Sequence, residues 1–145
     1  MTTVAKTTFG AELWLAPAGD TLVKVAELLS VEPPVMQRDT MDVTTHDSAG
    51  GAMEVIGDGV YDPGNIKGQV HYIAGSTGDD ALRLALTGGA KQHYKIVVKS
   101  AADTEDLTGS AYLISYGPDG MEVKGKQTAA FELKASGAVA QAASA

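Results

Sequence analysis

The sequence predicts an all-β domain with one helix, a β-sandwich or open barrel of seven to eight strands flanked by that helix. Three observations predict it. Apolar residues recur with a period of two in segment after segment, as in His93–Lys99, where Tyr94, Ile96 and Val98 are expected to point inward. Turn signals built from Pro, Asp and Gly punctuate the chain. Only Ser76–Gly89 carries helix signals at both ends. The 17 glycines and the 6% aromatic content favour thin sheets with many turns over a large aromatic core.

Taken in order, Ala11–Leu15 alternates, with Leu13 and Leu15 on one face and Trp14 on the other. Pro17-Ala18-Gly19-Asp20 reads as a turn, and Leu22–Ala26 as the partner strand. Pro33-Pro34 excludes a central strand over Val31–Val35 and predicts an extended connection or a sheet edge. Asp39–Thr44 and Ile66–Ile73 are expected strands. In the second, Ile66, Gly68, Val70 and Tyr72 share a packed face, and Lys67, Gln69 and His71 share a wet one.

In the helix, Ser76 or Thr77 supplies the N-cap, and Asp79-Asp80 place negative charge in the first turn, where the helix dipole favours it. Asp79, Asp80, Arg83 and Thr87 form one polar stripe, so the helix is expected to be mostly covered, and Gly88-Gly89 stops it. Ala101–Asp106 reads as an acidic turn, Leu107–Tyr116 as a strand and Pro118-Asp119-Gly120 as a turn. Met121–Ala135 reads as one long strand with Gly125 at a bend. One domain is expected over residues 1–137, with residues 1–10 as a flexible arm and 138–145 as a small-residue C-terminal arm.

Hydrophobic content of 44% and charged content of 20% fit an ordinary globular chain of 145 residues. With no Cys there is no disulfide framework, no thiolate metal site and no Cys nucleophile. The first ten residues lack the apolar run of a signal peptide, and no stretch approaches the length of a membrane-spanning helix. A net charge of −7, with Arg only at 38 and 83, argues against a protein that grips nucleic acid, because phosphate neutralisation needs clustered cations.

The central stretch, Asp39–Gly68, combines an alternating strand, a polar Gly-rich loop over Thr45–Ala52, a short apolar return Met53–Ile56, and turn signals at Gly57-Asp58-Gly59 and Asp62-Pro63-Gly64. A loop of this length exceeds a usual hairpin turn, and long ordered loops are more often functional. Within it, Asp42-Val43-Thr44, His46-Asp47-Ser48, Gly50-Gly51, Glu54-Val55-Ile56 and Asp62-Pro63-Gly64 follow one another in fixed order. This ordered set resembles the tail tube (major tail) protein of long, non-contractile-tailed bacteriophages, the phage lambda tail-protein group. The resemblance covers roughly Leu13–Gly137, and it departs most at Glu32-Pro33-Pro34-Val35.

The resemblance implies a structural subunit of the virion tail, made in the host cytoplasm. Its rings, six-fold in that family, stack into a tube through which DNA passes without specific binding. The implied partners are other copies of the chain and the tape-measure, tail-terminator and tail-tip proteins, with no membrane and no cofactor. By analogy, ring-stacking contacts are expected at Thr45, His46, Asp47, Ser48, Gly50, Gly51, Met53 and Glu54. Lumen-facing positions are expected at Asp42, Lys67, Gln69, His71, Lys124, Glu132 and Lys134, with carboxylates offsetting the lysines so that the wall is acidic or balanced.

Other chemistries fit the residues less well. His46-Asp47-Ser48 holds the three residue types of a hydrolase triad, but consecutive side chains diverge, whereas triad members must converge on one another. Local turn hydrogen bonds explain Asp47 and Ser48. Gly50-Gly51 lacks the Lys-Ser/Thr of a phosphate loop, and Asp58, Asp62 and Asn65 lack the ligand rhythm of a calcium loop. His46, His71 and His93 show no metal-ligand spacing. No catalytic, cofactor-binding or metal residue is therefore expected, and the chain is not read as an enzyme. A carbohydrate- or ligand-binding sandwich would want exposed aromatics, and Trp14 is the single Trp. A secretion-system tube or a gene-transfer particle's tail subunit shares the expected architecture.

Overall fold

The structure, a computed structural model, describes residues 10–17, 21–99, 104–119 and 125–143. Nine strands and one helix appear among them: β1 Glu12–Pro17, β2 Val23–Lys24, β3 Leu28–Glu32, β4 Gln37–Asp42, β5 Val55–Asp62, β6 Asn65–His71, α1 Thr77–Gly88, β7 Gln92–Lys99, β8 Thr104–Pro118 and β9 Thr128–Ala143. Seven strands form one antiparallel sheet in the order β2-β1-β7-β8-β9-β6-β3, curled into a half-barrel. The other two, β4 and β5, pair only with each other.

The core lies on one face of the large sheet. Leu13, Ile66, Ile96 and Leu133 are fully buried, with Tyr94, Phe131, Ala111 and Ala129 between them and Leu82 of α1 above. The expected alternation holds in β6, where Ile66, Gly68 and Val70 are buried while Lys67 is exposed and Gln69 and His71 are partly so. Gly68 is required there, because a Cβ would stand 2.5 Å from the Phe131 ring and 2.6 Å from the Ser30 carbonyl oxygen. The helix is capped as expected. Ser76 Oγ accepts from the Asp79 amide at 3.2 Å, and Gly89 takes the left-handed conformation at the other end.

Several boundaries differ from the sequence reading, each for a physical reason. Met121–Ala135 is not one strand. Residues 121–124 lie outside the described part, Gly125 is at a bend, and β9 begins only at Thr128. Its far end runs through most of the expected C-terminal arm, because Gln141 and Ala142 pair with Leu107 and Asp106 of β8. Pairing to a strand already fixed on its other side by β7 outweighs the weak β preference of Ala-rich sequence. The Gly57-Asp58-Gly59 turn is instead a bulge inside β5. Arg38 pairs with Tyr61 and Thr40 with Gly57, so three residues of β5 stand opposite Asp39 alone.

The helix is less covered than its stripe suggests, with Leu84 71% exposed and Asp79 buried. In β7, Val97 is buried while Val98 is exposed. The expected Leu22–Ala26 strand shortens to Val23–Lys24 at the sheet edge, with the Val25 amide still donating to the Leu13 carbonyl at 2.8 Å. Thr104–Asp106 belongs to β8 rather than to a turn. The turn expected over residues 17–20 and the flexible arm expected over residues 1–10 fall almost wholly outside the described residues.

Candidate functional site

The β4–β5 hairpin is a poor structure on its own terms. All six residues of β4 are exposed, and its extensive packing is between its own two strands. A lone two-stranded hairpin is marginal in water at best. Yet it displays Met41, Val43, Met53, Val55, Ile56 and Val60 to solvent, Val60 at 75% and Met53 at 71% exposure. Concentrated exposed apolar residues of this kind mark interaction sites.

Charge is concentrated there too. Between Gln37 and Asp62 stand six carboxylates, Asp39, Asp42, Asp47, Glu54, Asp58 and Asp62, against Arg38 alone, so this segment holds five of the chain's seven net negative charges.

The tip of this arm is organised by its own polar groups. Thr44 Oγ1 accepts from the Glu54 amide at 2.7 Å and donates to the Glu54 carbonyl at 3.2 Å, while the Val43 amide donates to that carbonyl at 2.9 Å. Ser48 Oγ accepts from the Thr45 amide at 3.0 Å, and Thr45 Oγ1 accepts from the Asp47 amide at 3.3 Å. A single 3₁₀ turn, Ala49–Gly51, follows, with Gly50 and Gly51 both at positive φ. Ser48 is thus engaged in turn chemistry, and His46 makes no triad with it. The structure brings the expected stacking residues Thr45, His46, Asp47, Ser48, Gly50, Gly51, Met53 and Glu54 together at the end of one arm.

The expected lumen residues divide into two places. Lys67, Gln69, His71, Glu132 and Lys134 share the face of β6 and β9 opposite the core. There Lys67 pairs with Glu132 and Asn65 with Lys134 across the strands. Lys67 Nζ is 3.9 Å from Glu132 Oε1, Gln69 Nε2 donates to Asp119 Oδ2 at 2.7 Å, and His71 Nδ1 lies 2.7 Å from Glu27 Oε2. With Glu27 and Asp119 beside them, these five make a strip of mixed charge along a groove that Ser30, Glu32 and Ser115 also line.

Asp42 is not among them. It sits on the arm, where the nearby Thr44 side chain and the Thr44 backbone amide, which donates to Asp42 Oδ1 at 2.8 Å, hold its carboxyl below the usual range. Lys124 lies outside the described residues. His46, His71 and His93 fall on the arm tip, β6 and β7 and do not converge. Trp14 is no open stacking platform, since Lys95 Nζ lies 4.6 Å above its ring.

A polar cluster around buried Asp79 goes beyond the polar stripe that the sequence pattern shows. Asp79 Oδ1 accepts from the Tyr116 hydroxyl at 2.6 Å and from Arg83 Nε at 3.2 Å, while Oδ2 accepts from the Gly75 amide at 3.1 Å. Arg83 also donates to the Tyr72 hydroxyl at 2.8 Å. The Tyr116 bond, then the Gly75 amide and Arg83, hold the Asp79 carboxyl below the usual range, and burial pushes the Tyr116 hydroxyl up. The cluster fastens α1 to β8 and to the end of β6, which makes it structural in its chemistry.

A sheet half-barrel with a pinned helix and a separate acidic arm, polar at its tip and with exposed apolar side chains along its strands, carries features of a subunit built to meet copies of itself. The phage tail tube protein family matches residues 19–141. The chain belongs to that family. It is a structural subunit of a tail tube.

Solved structures agree in fold. The tail of an empty gene transfer agent particle, refined helically with C6 symmetry, superposes with a TM-score of 0.72 at 18% identity, covering 94% of this chain and 98% of that one. The anti-feeding prophage baseplate gives 0.73 at 8% identity, covering 98% and 97%. The SPP1 tail tube gives 0.63 at 14% identity, covering 92% and 77%. No curated protein sequence matches the chain significantly.

Proposed function

We propose that the chain forms six-membered rings that stack into the tail tube of a long, non-contractile-tailed phage or a related particle. The carrying observation is the β4–β5 arm, whose exposed apolar side chains lack partners within the described residues. In this reading Thr45, His46, Asp47, Ser48, Gly50, Gly51, Met53 and Glu54 at its tip contact the next ring. Burying that surface supplies the energy of stacking.

The strip of Lys67, Gln69, His71, Glu132 and Lys134 lines the lumen. Asp42, at the end of β4, and Lys124 are the other two positions read as facing the lumen. Because Lys67 is offset by Glu132 and His71 faces Glu27, the wall presents no continuous run of cations, and DNA slides past rather than binding. Tape-measure, tail-terminator and tail-tip proteins complete the tail, the subunit is made in the host cytoplasm, and no step involves catalysis. The C6 symmetry of the gene transfer agent tail supports the ring size.

Light scattering and negative-stain microscopy at rising protein concentration test this. Rings or tubes are expected, and replacing Met53 and Val55 together by Ser should leave a folded subunit that does not stack. A strictly monomeric protein at every salt and concentration, with or without an added tail-tip nucleus, would contradict the reading.

A further inference from the structure

The direction in which the arm leaves the body is set at one place. Its base is anchored, because the Gly64 carbonyl accepts from the Ala135 amide at 3.0 Å, and Asp62 Oδ1 accepts from the Gly64 amide at 2.9 Å. The two legs also cross closely, since a Cβ on Gly64 would meet the Val35 carbonyl oxygen at 2.5 Å. Beyond the base, Arg38–Tyr61 is in register, and so is Thr40–Gly57 nearer the tip. Between these pairs lies the bulge of Asp58, Gly59 and Val60. A bulge bends its strand, and two glycines within or beside it leave many bends accessible.

Among the described residues, the side chain hydrogen-bonded across that irregularity is Arg38. Arg38 Nη1 donates to the Asp58 carbonyl at 2.8 Å, and the guanidinium carbon lies 5.8 Å from the centroid of the Tyr61 ring. The Arg38 stem runs alongside Gly57, its Cδ 3.4 Å from where a Cβ would stand, which is ordinary van der Waals contact. The guanidinium therefore ties the outward-bowed backbone to the last registered pair of the base.

We propose that Arg38 is the positioning residue of the arm, a clamp on the β5 bulge that selects one arm direction so that the tip meets its partner in a single orientation. The proposal deepens the stacking reading by assigning to Arg38 what the tip residues cannot do, namely aim themselves. A Lys at 38 keeps the charge and can reach one carbonyl, but it lacks the planar group that lies over Tyr61 while donating to Asp58.

The chain contains no Cys, so Ala49→Cys at the tip and Thr87→Cys on α1 give a unique pair of spin-label sites on the isolated subunit. With Arg38 present, double electron–electron resonance should show one narrow distance distribution. Arg38→Ala should broaden and shift it, and Arg38→Lys should fall between the two. The urea midpoint of the body should stay where it is, since Asp58, Tyr61 and Gly57, against which Arg38 lies, all belong to the arm. Tyr61→Leu, which removes the ring face but keeps an apolar side chain, should broaden the distribution less than Arg38→Ala.

Identical distributions for wild type and Arg38→Ala would overturn the proposal. So would loss of the narrow distribution in Arg38→Ala accompanied by an equal loss of body stability. The distances are read on free subunits, so this result stands apart from whether tubes form. If the clamp is confirmed while wild type never stacks, the stacking reading fails and the clamp survives.

Discussion

The large sheet and the β4–β5 arm are built from the same strand chemistry and reach opposite outcomes. In the sheet, apolar residues of β6, β7 and β9 meet one another and α1, and Ile66, Ile96 and Leu133 have no exposed surface at all. In the arm, apolar residues of equal size, Ile56 and Val60 among them, face solvent on a two-stranded ribbon. The difference is the number of layers available. Sheet strands can close over a helix, whereas a single hairpin has nothing within the described chain to close over. The body holds its apolar side chains buried within the subunit, whereas the arm keeps its hairpin and direction through its own contacts and leaves its apolar side chains for the assembly to bury.

Breaking the body should give the largest effect. Leu133→Ala removes a fully buried side chain at the centre of the core and should cost about 2–5 kcal/mol in urea unfolding. Mutating the arm at Val55 or Met53 should change subunit stability by no more than about 0.5 kcal/mol. Comparable losses at both places would erase the distinction.

The Asp79 cluster sharpens the comparison on the body's side, with a smaller effect that depends on pH. The folded carboxyl titrates lower than in the unfolded chain, where a carboxyl titrates near about 3.9. Its contribution is therefore complete above that value and is lost as pH falls through the lower, folded value. Asp79→Asn should lower the urea midpoint at neutral pH, and the wild-type and mutant midpoints should converge in acid. Tyr116 works in the other direction. Its raised folded value means its contribution is whole below about pH 10 and fades above it. Midpoints measured across this range give both limbs, and a pH-independent gap between wild type and Asp79→Asn would refute the assignment.

The two regions were also unequally legible in the sequence. The body reads well because a sheet with one packed and one wet face writes itself as strict alternation, as Ile66–Val70 does. Ser76, Asp79 and Gly89 likewise mark the helix ends by local capping chemistry. What fails is information held by distant partners. The Ala-rich run at 138–143 has no strong preference of its own and becomes strand because β8 lies beside it. Asp79 belongs to a polar stripe on the helix, and only the arrival of Tyr116 from β8 makes it a buried group.

Gly57-Asp58-Gly59 carries the same signal whether the chain turns back or bows outward, and the pairing of Thr40 with Gly57 decides it. The tip residues were recognisable as a polar excursion. That they end a separate arm was not, since this depends on β4 and β5 ignoring the large sheet. The concentration of six carboxylates is countable, yet it acquires meaning only once the arm is seen as one object.

Hydrogen exchange compared between free subunits and assembled tubes tests the central claim most directly. Amides of β6, β7 and the centre of β8 should be strongly protected in both states. Those of β4, β5 and the Val43–Glu54 tip should be far less protected than the sheet in the free subunit, as in a formed hairpin open to solvent, and become strongly protected in the tube. An arm as protected in the free subunit as the sheet, or one that still exchanges rapidly within tubes, would contradict the account.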